Sequence, residues 1–89
     1  MKSVKELKNP DSIELNGRKF QVVNNTSLFY DTKKKQLEMV VELCEVGSGK
    51  ISPDFRLVYI YENPKDLRFF SLDKKSKEWK QQKINSLKI

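Results

Sequence analysis

Apolar and polar residues alternate along Leu37-Glu38-Met39-Val40-Val41-Glu42-Leu43, with Leu37, Met39, Val41 and Leu43 on one parity and Glu38, Val40 and Glu42 on the other. Period two is the mark of a strand with one buried face, whereas a helix would mix the two sets. A strand is therefore expected over 36–46. Residues 55–62, Phe55-Arg56-Leu57-Val58-Tyr59-Ile60-Tyr61-Glu62, carry β-branched and aromatic groups on both parities, as a central strand covered on both faces requires. Asn63-Pro64-Lys65-Asp66 stops it, with proline in the second position of a type I turn, and a strand resumes over 67–72. These three runs hold most of the large apolar side chains and form the expected core sheet.

Upstream, Ser12-Ile13-Glu14-Leu15, Asn16-Gly17 and Arg18-Lys19-Phe20-Gln21-Val22-Val23 read as a hairpin, because Asn-Gly accepts the positive φ of a type I′ turn. Counting across two turn residues pairs Glu14 with Lys19 and Ile13 with Phe20, giving one charged and one apolar face. Asn24-Asn25 reads as the next turn and 26–30 as a third strand. Taking 32–35 as a loop then pairs Tyr30 with Leu37, Leu28 with Met39 and Thr26 with Val41, and sets Phe29 opposite Glu38. Val4 and Leu7, three apart, suit one helical turn that Asn9-Pro10 ends.

The phrase Asp31-Thr32-Lys33-Lys34-Lys35-Gln36-Leu37 returns as Asp73-Lys74-Lys75-Ser76-Lys77-Glu78-Trp79, so one hairpin chemistry is expected twice. The second copy resembles the aspartate-turn-tryptophan hairpins of β-propeller blades. Over seven residues, that resemblance implies a hairpin, not a propeller. The end of the chain reads two ways: a seventh strand over 78–84, favoured by the Asp73 turn, or a helix over 77–89 with Trp79, Ile84 and Leu87 in one arc.

The fold class expected is mainly β: a single antiparallel meander of six or seven strands, curled or closed into a small barrel, with a short N-terminal helical turn and the C-terminal helix as the alternative ending. At 89 residues the chain has room for one domain with one main core, here an arm over 1–10, a sheet over 11–84 and a tail over 85–89. No apolar run approaches the length of a membrane helix, and the first residues lack the apolar centre of a signal peptide. Cys44, the one cysteine, excludes an internal disulfide and fits a reducing, cytoplasmic setting.

The chain has no histidine, which removes the usual general base and metal ligand at neutral pH. Cys44 has no histidine to activate it and reads as an inert, buried or half-buried thiol. Gly47-Ser48-Gly49-Lys50-Ile51-Ser52 invites comparison with a phosphate-binding loop, but the first glycine of that motif falls at Cys44 and neither Ser nor Thr follows Lys50. A flexible glycine loop between strands is the expectation there. Neither a cofactor nor a metal is expected, and the chain is expected not to be an enzyme.

Lysine and arginine number 18 against 12 aspartates and glutamates, giving a net charge of +6. That balance is the electrostatic footprint of a nucleic-acid binder. Much of it, however, sits at two turns, Lys33-Lys34-Lys35 and Lys74-Lys75-Ser76-Lys77, expected at opposite ends of the sheet, where lysines also keep hairpin tips soluble. A sharper expectation comes from register. Pairing Glu62 with Leu67 and Asp73 with Glu78 gathers Tyr59, Tyr61, Arg68, Phe70, Trp79, Gln81 and Lys83 on one face. Aromatics flanked by cations are what single-stranded nucleic acid stacks upon. The alternative is that this aromatic face is itself core. The leading functional expectation is a module that binds a protein partner through a sheet face or edge, with single-stranded nucleic acid second.

Overall fold

The computed structural model describes residues 3–47, 49 and 52–89. The glycine loop read at 47–52 lies partly outside them, because Ser48, Lys50 and Ile51 are not described. Met1 and Lys2 of the N-terminal arm are likewise outside.

The described residues form an eight-stranded, wholly antiparallel sheet preceded by one 3-10 turn, Val4–Glu6. The strands are β1 (Ser12–Leu15), β2 (Arg18–Asn25), β3 (Phe29–Asp31), β4 (Gln36–Glu45), β5 (Phe55–Ile60), β6 (Arg68–Asp73), β7 (Glu78–Gln82) and β8 (Leu87–Lys88). Spatial order is β7-β6-β5-β4-β2-β1-β8, with β3 also bonded to β4. The mainly β, antiparallel expectation holds. The helix alternative for the C-terminal segment does not: 78–82 is a strand, and the expected tail contains β8, paired with β1 through Glu14–Lys88 and Leu15–Leu87.

That last pairing curls the sheet. Strands β7 and β8 stand at opposite ends of the strand order, yet only residues 83–86 join them. Five Cα steps span about 17 Å at most, so the two margins must approach each other. Asn16 holds the link in place. Its Nδ2 donates to the Lys83 carbonyl at 2.8 Å, and its Oδ1 accepts the N–H groups of Asn85 and Ser86 at 2.6 and 3.1 Å. Asn16 and Gly17 have φ of 53° and 78°, the type I′ geometry that the dipeptide predicts.

Inside the curl, Phe20, Phe55 and Phe69 meet with ring centroids 4.9 to 5.9 Å apart. Around them pack Ile13, Leu15, Val22, Met39, Val41, Leu43, Leu57 and Tyr59, with Leu7 of the N-terminal arm also buried. Met39, Val41 and Leu43 lie on the parity expected to be apolar. In β5, Leu57, Val58, Tyr59 and Ile60 are all buried, as expected of a central strand covered on both faces.

Three local expectations shift. The Asn24-Asn25 turn comes late: β2 runs through Asn25 after a register shift between Val22 and Asn24, so Asn25 pairs with Val41 in place of Thr26. The chain reverses instead at Ser27, φ 62°, whose N–H is accepted by Asn25 Oδ1. Strand β3 is thereby shortened, Leu28 does not pair with Met39, and the Tyr30–Leu37 and Phe29–Glu38 pairs survive.

The third shift matters most. Two successive turns follow β5, closed by Asn63 N–H to Ile60 O and Asp66 N–H to Asn63 O, so the strand ends at Ile60. Val58 therefore pairs with Arg68 and Arg56 with Phe70, where a single four-residue turn would have paired Tyr61 with Arg68 and Tyr59 with Phe70. A slip of three residues is odd, and an odd slip exchanges faces.

The repeated aspartate turns do form alike. Asp31 Oδ1 accepts the N–H groups of Lys33 and Lys34, Asp73 Oδ1 accepts that of Lys75, and Lys35 and Lys77 close the loops at φ 55° and 59°. The register Leu72–Trp79 follows as expected.

Candidate functional site

The seven residues expected on one face do not share one. Tyr59 is 9% exposed and belongs to the core, on the face opposite Phe70. Tyr61 lies beyond the end of β5, 52% exposed, and its N–H bonds to Leu37 O of β4. Lys83 lies past β7, in the link that Asn16 holds. Arg68, Phe70, Trp79 and Gln81 do share the outer face of β6 and β7, and the register places Arg56 and Val58 of β5 beside them.

Arg56, missed from sequence, dominates that face. Its guanidinium lies 3.7 Å from the centroid of the Trp79 ring, a cation–π contact that occupies the ring face a nucleobase would need. Its Nε is buried with no hydrogen-bond partner among the described residues. Burial lowers its pKa, against the opposing charge of Glu42, its cross-strand neighbour on β4. The other two arginines each hold a carboxylate with two donors: Arg18 holds Glu45 at 2.7 and 2.7 Å, and Arg68 holds Asp66 at 2.8 and 3.5 Å. These bonds raise both arginine pKa values and lower those of Glu45 and Asp66. Lys34, from the turn after β3, reaches the same outer face, lining a cleft of about 160 Å³ with Arg56, Val58, Phe70 and Trp79.

Nor do the lysine clusters merge. β4 and β6 run in the same direction, each antiparallel to β5, so the turn before β4 and the turn after β6 lie at opposite ends of the sheet. Each cluster has an acid partner: Lys34 pairs with the buried Glu38 at 3.6 Å and Lys74 with Asp54 at 3.4 Å.

A different feature stands out at the edges. Among the described residues, strand β3 pairs with β4 alone. Leu28, Phe29 and Tyr30 are 44, 38 and 55% exposed, which puts three consecutive large apolar residues in solvent. Tyr30 pairs with Leu37, whose carbonyl accepts the Tyr61 N–H, so two exposed tyrosines flank a half-buried leucine on the core-side parity. Phe29 pairs with Glu38, which is 3% exposed, on the outer face. The other two edges are guarded. β7 carries Lys80 and is flanked by Lys77 and Lys83, while β8 is two residues long and includes Lys88. Charged or very short edges are how sheets avoid unwanted strand pairing. The sequence offered part of the signal for β3, a short apolar run filling both parities between two turns; that the strand has one neighbour comes from the structure.

Among the described residues, there is no cluster of three metal-ligating side chains and no helix long and apolar enough to cross a membrane. Cys44 is half-buried and unpaired. Set against protein-family models, curated proteins and solved structures, the chain matches none.

Proposed function

We propose that the chain is a non-catalytic protein-recognition module that takes an extended segment of a partner along the free edge of β3. The observation that carries this reading is the contrast among its edges: β7 and β8 are guarded by lysine or brevity, and β3 presents Leu28, Phe29 and Tyr30 to solvent. In strand addition, backbone hydrogen bonds supply affinity, and alternate side chains on the two faces supply specificity. Beside β3 the added strand would meet Tyr30 on one face and Phe29 on the other. A cytoplasmic setting accords with the single unpaired Cys44. Single-stranded nucleic acid is the alternative suggested by the net charge of +6. It has less support, because the aromatic set is divided between faces and Trp79 is already covered by Arg56.

The test is a selection of extended peptides from a displayed random library on the intact chain, followed by affinity measurements on a Phe29→Lys/Tyr30→Lys variant. Both side chains are more than a third exposed, and a urea unfolding curve of the variant checks that the fold is retained. Selected peptides lose at least tenfold in affinity on the variant if β3 is the docking edge. Equal binding to both proteins, or selection only of an oligonucleotide in a parallel screen, defeats the reading.

A further inference from the structure

The chemistry of the β3 edge also specifies the sequence of what it receives. This step rests on the strand-addition reading above. Ordinary edge strands of half-buried sheets alternate apolar and polar positions, and their partners alternate likewise. β3 does not alternate. Phe29 is on the outer face with Glu38, Tyr30 on the other with Leu37, and both are exposed. A strand laid beside β3 therefore contacts an aromatic ring on each of its faces, and it stabilises both rings only with apolar side chains at consecutive positions.

Charge fixes the flank. Asp31 is followed by Thr32 and then by Lys33, Lys34 and Lys35, all exposed, at the end of the same edge. The acids nearby are engaged: the Asp31 carboxylate accepts two backbone N–H groups of this turn, and Glu38 is buried against Lys34. Those backbone bonds, that of Lys34 foremost, hold the Asp31 carboxyl below its usual range, and its one negative charge leaves the three lysines of the turn in excess. The turn thus presents a cationic tip to any chain that runs past β3. A second copy of the protein is disfavoured as the occupant, since each copy carries a net charge of +6.

We infer that β3 recognises an acidic partner segment with two consecutive large apolar residues, followed or preceded, on the side that meets the Lys33-Lys34-Lys35 turn, by aspartate or glutamate.

Two synthetic, end-capped peptides decide it. Both carry the apolar pair of a β3-dependent peptide from the selection; one has two glutamates beside that pair and the other has two glutamines. The glutamate peptide binds the intact chain about tenfold more tightly at low salt, through two solvent-exposed ion pairs. The advantage shrinks as salt rises and is lost in a Lys33→Gln/Lys35→Gln variant, which binds the glutamine peptide as the parent does. Equal affinity of the two peptides, or an advantage that survives in the lysine variant, overturns the acidic specificity while leaving docking on β3 intact. Loss of both peptides on Phe29→Lys/Tyr30→Lys reports on docking itself. Dimerisation of the free chain that the Phe29→Lys/Tyr30→Lys substitutions abolish overturns the inference in favour of a second copy.

Discussion

Asn16 Oδ1 accepts the backbone N–H of Asn85 at 2.6 Å, joining residues 69 positions apart in sequence. With the bonds to Lys83 and Ser86, it is the polar clasp between the first hairpin and the β7–β8 link. Asn16→Ala is expected to cost about 1–3 kcal/mol, the range for losing a few hydrogen bonds of this kind together. Asn16→Gly, which keeps the φ of 53° available, separates turn geometry from clasp. Both variants should lower the urea midpoint and speed amide exchange at Leu87 and Lys88. A glycine variant with wild-type stability and a protected β8 would show that the turn alone matters.

The two aspartate turns are closed by lysines in the left-handed region, Lys35 at φ 55° and Lys77 at φ 59°. A side chain there costs roughly 1–2 kcal/mol, part of which glycine returns by being freer in the unfolded chain. Lys35→Gly and Lys77→Gly should each raise stability by about 0.5 kcal/mol, and additively, since the turns lie at opposite ends of the sheet. Destabilisation by either substitution, in urea unfolding, would mean that the lysine side chain does more than close its loop.

Acid stability draws on the described carboxylates whose pKa is lowered in the fold. Asp73 is lowered mainly by the Lys80 ammonium, Asp66 by Arg68, Glu45 by Arg18 and Asp31 by the Lys34 N–H. A depressed folded-state pKa means that the unfolded chain binds the proton first. The contribution is complete above the unfolded value, near 4, and is lost as pH falls through the lower folded value. Stability should be flat from about pH 5 to 8, there being no histidine, and should decline below about pH 4. In Asp73→Asn the decline should be shallower. A loss of stability between pH 5 and 7 would contradict this assignment.

The fold was largely readable because period-two patterning, Asn-Gly and the two aspartate turns are local signals, and each placed its hairpin in the right register. The face of β5 was not readable in the same way. Its register with β6 depends on whether the chain turns once at Asn63-Pro64 or twice from Ile60, and with apolar groups on both parities β5 cannot reveal an odd slip. That one ambiguity sent Tyr59 to the core and put Arg56 against Trp79. β8 was hidden for another reason. Two residues carry no periodicity, and what places them is Asn16, read from sequence only as a turn former. The lysine turns were correctly separated, whereas the exposure of Leu28, Phe29 and Tyr30 depended on knowing that β2 continues to Asn25 and leaves β3 with one neighbour.

The most direct test of the recognition edge is amide hydrogen exchange of the intact chain with and without a peptide selected for binding. Strand addition predicts slowed exchange confined to β3 and its approach, Leu28 to Asp31, because new backbone hydrogen bonds form there while β7 and β8 exchange as before. Protection that appears instead along Glu78–Gln82, or around Arg56 and Trp79 with β3 unchanged, would contradict the account.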